Sequence, residues 1–166
     1  NKPEPYTEFD EPNPINVYGK SKLWGERIVQ SFLKKYYIVR AGWMMGGGPR
    51  KDKKFVAKII KQILEGKKEL MVVNDKLGSL TYTVDFSKCL TNLIETGCYG
   101  LYHCTNKGWA SRYEVAKKIV EYMGLNDVKI IAVSSAHFPL PAPRARSEAC
   151  YNYKLELMRM DKMRPW

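Results

Sequence analysis

The stretch NVYGKSKLWGE, residues 16–26, sets Tyr18 and Lys22 four residues apart, with Gly19 and Gly25 beside them. Positions i and i+4 share one face of a helix, so the phenol and the ammonium project together. A nearby ammonium stabilises a phenolate, which suits such a pair to moving a proton. Each internal glycine costs a helix about 1 kcal/mol relative to alanine. The two glycines therefore predict a close approach to the backbone at Gly19 and close packing under a neighbouring strand at Gly25.

Outward from that stretch the chain alternates helix and strand. Asn13 before Pro14 reads as a helix opening, and Leu23, Trp24, Ile28, Val29, Phe32 and Leu33 recur at helical spacing over about 14–35. YYIVRA, residues 36–41, is short, β-branched and aromatic, as a buried strand is; GWMMGGGPRKD after it reads as a loop. Phe55, Val56, Ile59, Ile60, Ile63 and Leu64 mark a second helix that stops near Gly66, and ELMVV at 69–73 a second strand. A third helix carries Phe86, Cys89, Leu90, Leu93 and Ile94 and ends at Gly97, before the strand LYHCT at 101–105. Ser111 and Glu114 have capping-box spacing ahead of a fourth helix that Gly124 ends, and VKIIAV at 128–133 is a further strand. A proline-rich loop, FPLPAPRARS, and a short helix in YNYKLELMRM follow. Such alternation defines an α/β architecture.

Composition narrows the function classes. In 166 residues, 28 Lys+Arg stand against 17 Asp+Glu, a formal charge of +11. The lysines at 53, 54, 58, 61, 67 and 68 are spread between apolar residues of one helix, as on a solvated face, and no nucleic-acid recognition motif accompanies them. A phosphate-bearing small ligand would also be drawn to such a surface. The four cysteines, Cys89, Cys98, Cys104 and Cys150, form no CxxC pair, and with only two histidines no metal site assembles; a reduced, cytoplasmic setting is expected. No signal pattern and no apolar run of membrane-spanning length occurs. GGGPR at 46–50 lacks the Gly-Lys-Ser/Thr of a phosphate loop, and His103, within a strand pattern, reads as a core histidine.

NVYGKSKLWGE resembles the Y-G-x-[ST]-K-x-x-G-E segment of extended short-chain dehydrogenases/reductases. IVRAGWMMGGG at 38–48, KKF at 53–55, NDKLGSLTYTVDFS at 74–87, GLYHCTNKGWASRYEVA at 100–116 and PAPRARS at 141–147 extend the likeness to the dTDP-4-dehydrorhamnose reductase branch. The resemblance implies the C-terminal part of a Rossmann-type enzyme with its smaller substrate-binding subdomain. Residues 1–66 would end the dinucleotide-binding domain, and residues 67–166 would be mainly the substrate-binding subdomain, the two intertwined.

By the same resemblance, Tyr18 protonates the oxygen of a sugar ketone while NADPH or NADH supplies hydride. Lys22 holds the nicotinamide ribose, Gly42 lies beside the cofactor, Trp43 orients the pyranose, and Arg144 and Ser147 take the nucleotide diphosphate, with Lys54 and Thr81 also at the substrate. Gly19 would keep the helix surface low where cofactor and sugar approach. Nucleic acid and membrane are not expected as partners; the oligomeric state is left open, a homodimer being one option. The glycine-rich cofactor turn and a third catalytic Ser or Thr are not found, Leu80 stands where the family has proline, and Ala145 follows Arg144 where proline is commoner. The chain thus reads as a fragment, inactive alone. Two other readings are a non-catalytic subunit like the regulatory β subunit of methionine adenosyltransferase, and an extended dehydrogenase acting on a different nucleotide sugar.

Overall fold

The computed structural model describes residue 2 and residues 4–166. Its first helix, α1, spans Val17–Phe32, later than the Asn13-Pro14 opening implies. Asn16 is the N-cap instead, its side chain accepting from the Gly19 N–H at 2.8 Å. The helical period holds, but α1 has no buried residue: Trp24, Ile28 and Phe32, one stripe at four-residue spacing, are all exposed. A Cβ built on Gly25 would meet nothing within 4 Å, so the packing expected there is not made by the described residues.

Parallel pairings build the frame. Strand β1, Tyr37–Arg40, leads to β2, Trp43–Met45, a short helix α2, Gly48–Lys51, and a longer one, α3, Phe55–Leu64. Strand β3 is Glu69–Val73; β4, Leu77–Gly78, and β5, Leu80–Tyr82, follow, then α4, Thr83–Glu95, and β6, Gly100–His103. After β7, Ala110–Ser111, come α5, Arg112–Tyr122, β8, Lys129–Val133, β9, Ser147–Glu148, and α6, Tyr153–Leu157. β1 pairs in parallel with β6, β3 with β8 and β2 with β5, while β4 is flanked by β7 and β9. The capping box forms: the Ser111 hydroxyl accepts from the Glu114 N–H at 3.1 Å, and the Glu114 carboxylate from the Ser111 N–H at 2.6 Å.

The segment read as a loop after residue 41 contains β2 and α2. β2 exists because Trp43 and Met45 register against Leu80 and Tyr82 of β5, a pairing no local pattern announces. Three buried clusters hold the chain. Ile59, Ile63, Leu70, Val72, Ala116 and Val120 join α3, β3 and α5. Leu93, Tyr102, Cys104, Leu155 and Met163 join α4, β6 and α6, with Tyr37 and Val39 of β1 against them. Leu80, Ala110 and Val115 form a smaller third, with Trp43, Met45 and Phe55 packed against it. α3 thus packs with later elements, and β6 returns to β1.

Candidate active site

The start of α1, β2 and the proline-rich segment converge on a cleft. Asn16 fixes two of its walls at once: its Oδ1 caps Gly19, and its Nδ2 donates to the Pro143 carbonyl at 2.9 Å. A Cβ on Gly19 would lie 2.9 Å from the Pro14 Cβ, so this glycine admits the chain's own Pro14. From the other side, Arg40 holds α1 to β1 through Glu26, the last residue of the opening stretch.

The resulting cavity, of about 870 Å³, is lined by Tyr18, Gly42, Trp43, Lys54 and Arg144, five of the residues singled out in the sequence. Tyr18 is 67% exposed. Lys22 lies one turn further on, its Nζ 5.6 Å from the Tyr18 ring centre, beside the cavity rather than in its wall, where Lys20 stands instead. A second cavity of about 510 Å³ shares Trp43, Pro143 and Arg144 with the first and adds Lys76, Phe138 and Leu140.

Two expected ligand residues stand elsewhere. Thr81 is fully buried beneath the cleft, and its hydroxyl is taken by the Gly42 N–H at 2.9 Å. It positions Gly42, whose added Cβ would come within 2.1 Å of the Ser79 carbonyl oxygen. Ser147 lies in β9 and lines neither cavity; its hydroxyl accepts from the Ala149 N–H at 3.3 Å. His103 is buried as expected; its Nε2 lies 3.5 Å from Arg40 Nη1, its Nδ1 has no hydrogen-bond partner among the described residues, and burial pushes its pKa below the usual histidine value.

Trp43 is held on three sides. Its Nε1 donates to Glu148 Oε2 at 3.0 Å, the Arg112 guanidinium stacks 3.7 Å from its ring centre, and Gly78 leaves room for the six-membered ring. Arg112 and Glu148 were not singled out in the sequence. The first sits unmarked in SRYE behind the capping box and the second in a two-residue strand, and only folding brings positions 43, 112 and 148 together. The charged residues lining the larger cavity are Lys20, Lys54, Arg112 and Arg144 against Asp52, so the cleft favours an anionic ligand. Among the described residues no cluster of three or more metal-ligating side chains occurs.

The whole chain, residues 1–166, matches the model of the RmlD substrate binding domain, and it belongs to that family. It is 36% identical over 166 residues to a dTDP-4-dehydrorhamnose reductase of Mycobacterium tuberculosis, covering 99% of this chain and 54% of the relative. Among solved structures, a dTDP-4-dehydrorhamnose reductase of Clostridium acetobutylicum superposes with a TM-score of 0.91 at 41% identity, over 99% of this chain and 57% of that one. The same enzyme from Bacillus anthracis, in complex with NADP, gives 0.92 at 37% identity over 100% and 57%. The chain therefore spans about half the length of the relatives it matches. The fold is that of an α/β extended short-chain dehydrogenase/reductase.

Proposed function

We propose that this chain carries the substrate-binding and proton-delivering part of a reductase that converts the 4-keto group of dTDP-4-dehydro-L-rhamnose to the alcohol of dTDP-L-rhamnose. The observation that carries this reading is the opening of Tyr18 into the same cationic cavity as Trp43, Lys54 and Arg144. A sugar diphosphate lodged there would bring its ketone to the phenol with its phosphates against positive charge. Relatives of matching name, one holding NADP, add to the case.

When bound, NADPH or NADH supplies the hydride. The residues present suit such a cofactor. Lys22 makes no hydrogen bond or ion pair with a described residue, so its three N–H donors are available to ribose hydroxyls, and Gly42 presents bare backbone to the cavity. Tyr18 would donate its proton to the carbonyl oxygen as negative charge gathers there, and Trp43 would fix the sugar in the cavity. In this reading α1 with the β1, β6, α4 and α6 cluster ends the dinucleotide-binding unit, and the α3, β3, α5 and β8 cluster serves the sugar. All four cysteines are free, in keeping with a reducing, cytoplasmic setting.

In the intact protein, Tyr18→Phe should leave folding and cofactor binding in place and lower turnover about 10²- to 10⁴-fold. Lys22→Met should in addition weaken cofactor binding. Full turnover by the Phe variant, or no NAD(P)H oxidation by the wild type with any nucleotide-sugar ketone, would sink the reductase reading in favour of a non-catalytic subunit.

A further inference from the structure

Arg112 differs from the other well-packed arginine, Arg40. Arg40 is matched to a carboxylate, donating from Nε and Nη2 to the two oxygens of Glu26 at 2.8 and 2.5 Å. Arg112 is partly buried, yet it makes no hydrogen bond or ion pair with any described residue; the charge of Glu148 reaches it, but that carboxylate is engaged by the Trp43 indole. Its guanidinium carbon lies over two rings, 3.7 Å from the centre of Trp43 and 4.8 Å from that of Phe55. Stacking uses the faces of the guanidinium and fixes its plane, leaving the in-plane N–H fork unspent.

A cation stripped of part of its water and given no hydrogen-bonded counter-charge is costly unless a ligand completes it. Burial drags the Arg112 pKa down to about 10, yet it remains charged at neutral pH. Its position says which ligand group it would meet, because Arg112 lines both cavities and so stands where they join. On one side is Tyr18, the proton donor; on the other are Phe138 and Leu140, an apolar wall suited to a flat ring system.

We propose that Arg112 is a second diphosphate anchor of the cleft beside Arg144, its stacked fork gripping the linker between a sugar in the larger cavity and a nucleoside in the smaller one. This rests on the reading of the cleft as a nucleotide-sugar site and adds the residue that sets the ligand's register across the two cavities. Planar N–H pairs match phosphate oxygens two at a time, so the fork fixes orientation as well as charge. Glu148, by tying up the Trp43 indole, keeps the stacking surface in place without neutralising the guanidinium.

The test measures binding to the intact protein by calorimetry, with dTDP, inorganic pyrophosphate and thymidine as probes. Arg112→Met should weaken dTDP and pyrophosphate about 10- to 100-fold, as the loss of charge-assisted hydrogen bonds implies, while thymidine stays within about twofold. Arg112→Lys, which keeps stem and charge and guards against a folding defect in the Met variant, should weaken dTDP about tenfold because the fork is gone. Glu148→Gln should not weaken pyrophosphate. Unchanged dTDP affinity in either arginine variant overturns the proposal, as does equal weakening of thymidine and dTDP, which would mean that Arg112 merely props Trp43. Failure of the wild type to bind dTDP, pyrophosphate or any nucleoside diphosphate instead removes the nucleotide-sugar reading beneath it.

Discussion

Glu26 and Arg40 form a two-pronged ion pair between α1 and β1, with 17% and 24% of their side chains exposed. Both belong to segments that carried the family likeness, yet neither touches the cleft. Their work is to hold the helix that presents Tyr18, and Glu26 holds the Arg40 pKa above its usual value. Glu26→Gln should cost about 1–3 kcal/mol, the penalty for leaving a half-buried guanidinium with a weakened partner. A urea midpoint equal to the wild type's would refute this, and pairing the change with Arg40→Met should recover part of the loss.

Thr81 is expected to behave as a structural residue. Thr81→Val keeps the shape and strands the Gly42 N–H, so stability should fall by about 1–3 kcal/mol. Thr81→Ser keeps the hydrogen bond and loses one methyl, about 1 kcal/mol. If the serine variant is the more damaging of the two in thermal unfolding, the hydroxyl is not what matters.

Gly78→Ala tests how tightly Trp43 is seated. The new Cβ would fall 2.4 Å from Trp43 Cε2 in the present geometry, so the indole must shift or the strand must move. Overpacking of this kind typically costs about 1–3 kcal/mol. On the proposed reading, KM of the intact protein for the sugar nucleotide should rise more than kcat falls, because the displaced ring shapes the cavity; an unchanged KM would show that Trp43 has slack.

Asp85 gives the chain an acid-sensitive clamp. It is buried and accepts from Arg164 Nε and Nη2 at 2.9–3.1 Å and from Asn106 Nδ2 at 2.9 Å, and Arg164 first among these holds its pKa below the ordinary aspartate value. A carboxyl depressed in the folded state stabilises above its unfolded pKa of about 3.9, and that contribution drains away as pH falls below it. Stability measured from pH 6 downward should therefore decline through that range, and Asp85→Asn should flatten the decline. A variant with the wild-type slope would place the acid sensitivity in another group.

The long elements were readable because their signals are local. α3, α5, β3 and β8 announce themselves by apolar period, and Ser111 with Glu114 by the chemistry of a helix end. β2, β4, β5, β7 and β9 run to two or three residues each, and what makes them strands is the partner that tertiary packing delivers. The same division holds for the cleft. Tyr18, Trp43 and Arg144 come with recognisable neighbours in sequence, whereas Arg112 acquires its character only when Trp43 and Phe55 close on it. Thr81 shows the converse: a motif residue whose hydroxyl serves the backbone.

The parallel frame has a consequence for synthesis. Tyr37 pairs with Gly100 and Glu69 with Lys129, so each strand waits some 60 residues for its neighbour. At about 5–20 residues per second, the ribosome leaves β1 with an open edge for about 3–12 s before β6 exists. During that interval the exposed apolar stripe of α1 and the bare strand beside it offer the nascent chain its best opportunity to stick to another. Slowing translation between codons 41 and 100 should therefore lower the soluble yield more than slowing it after codon 133, where the parallel partners of β1, β2 and β3 have already been made.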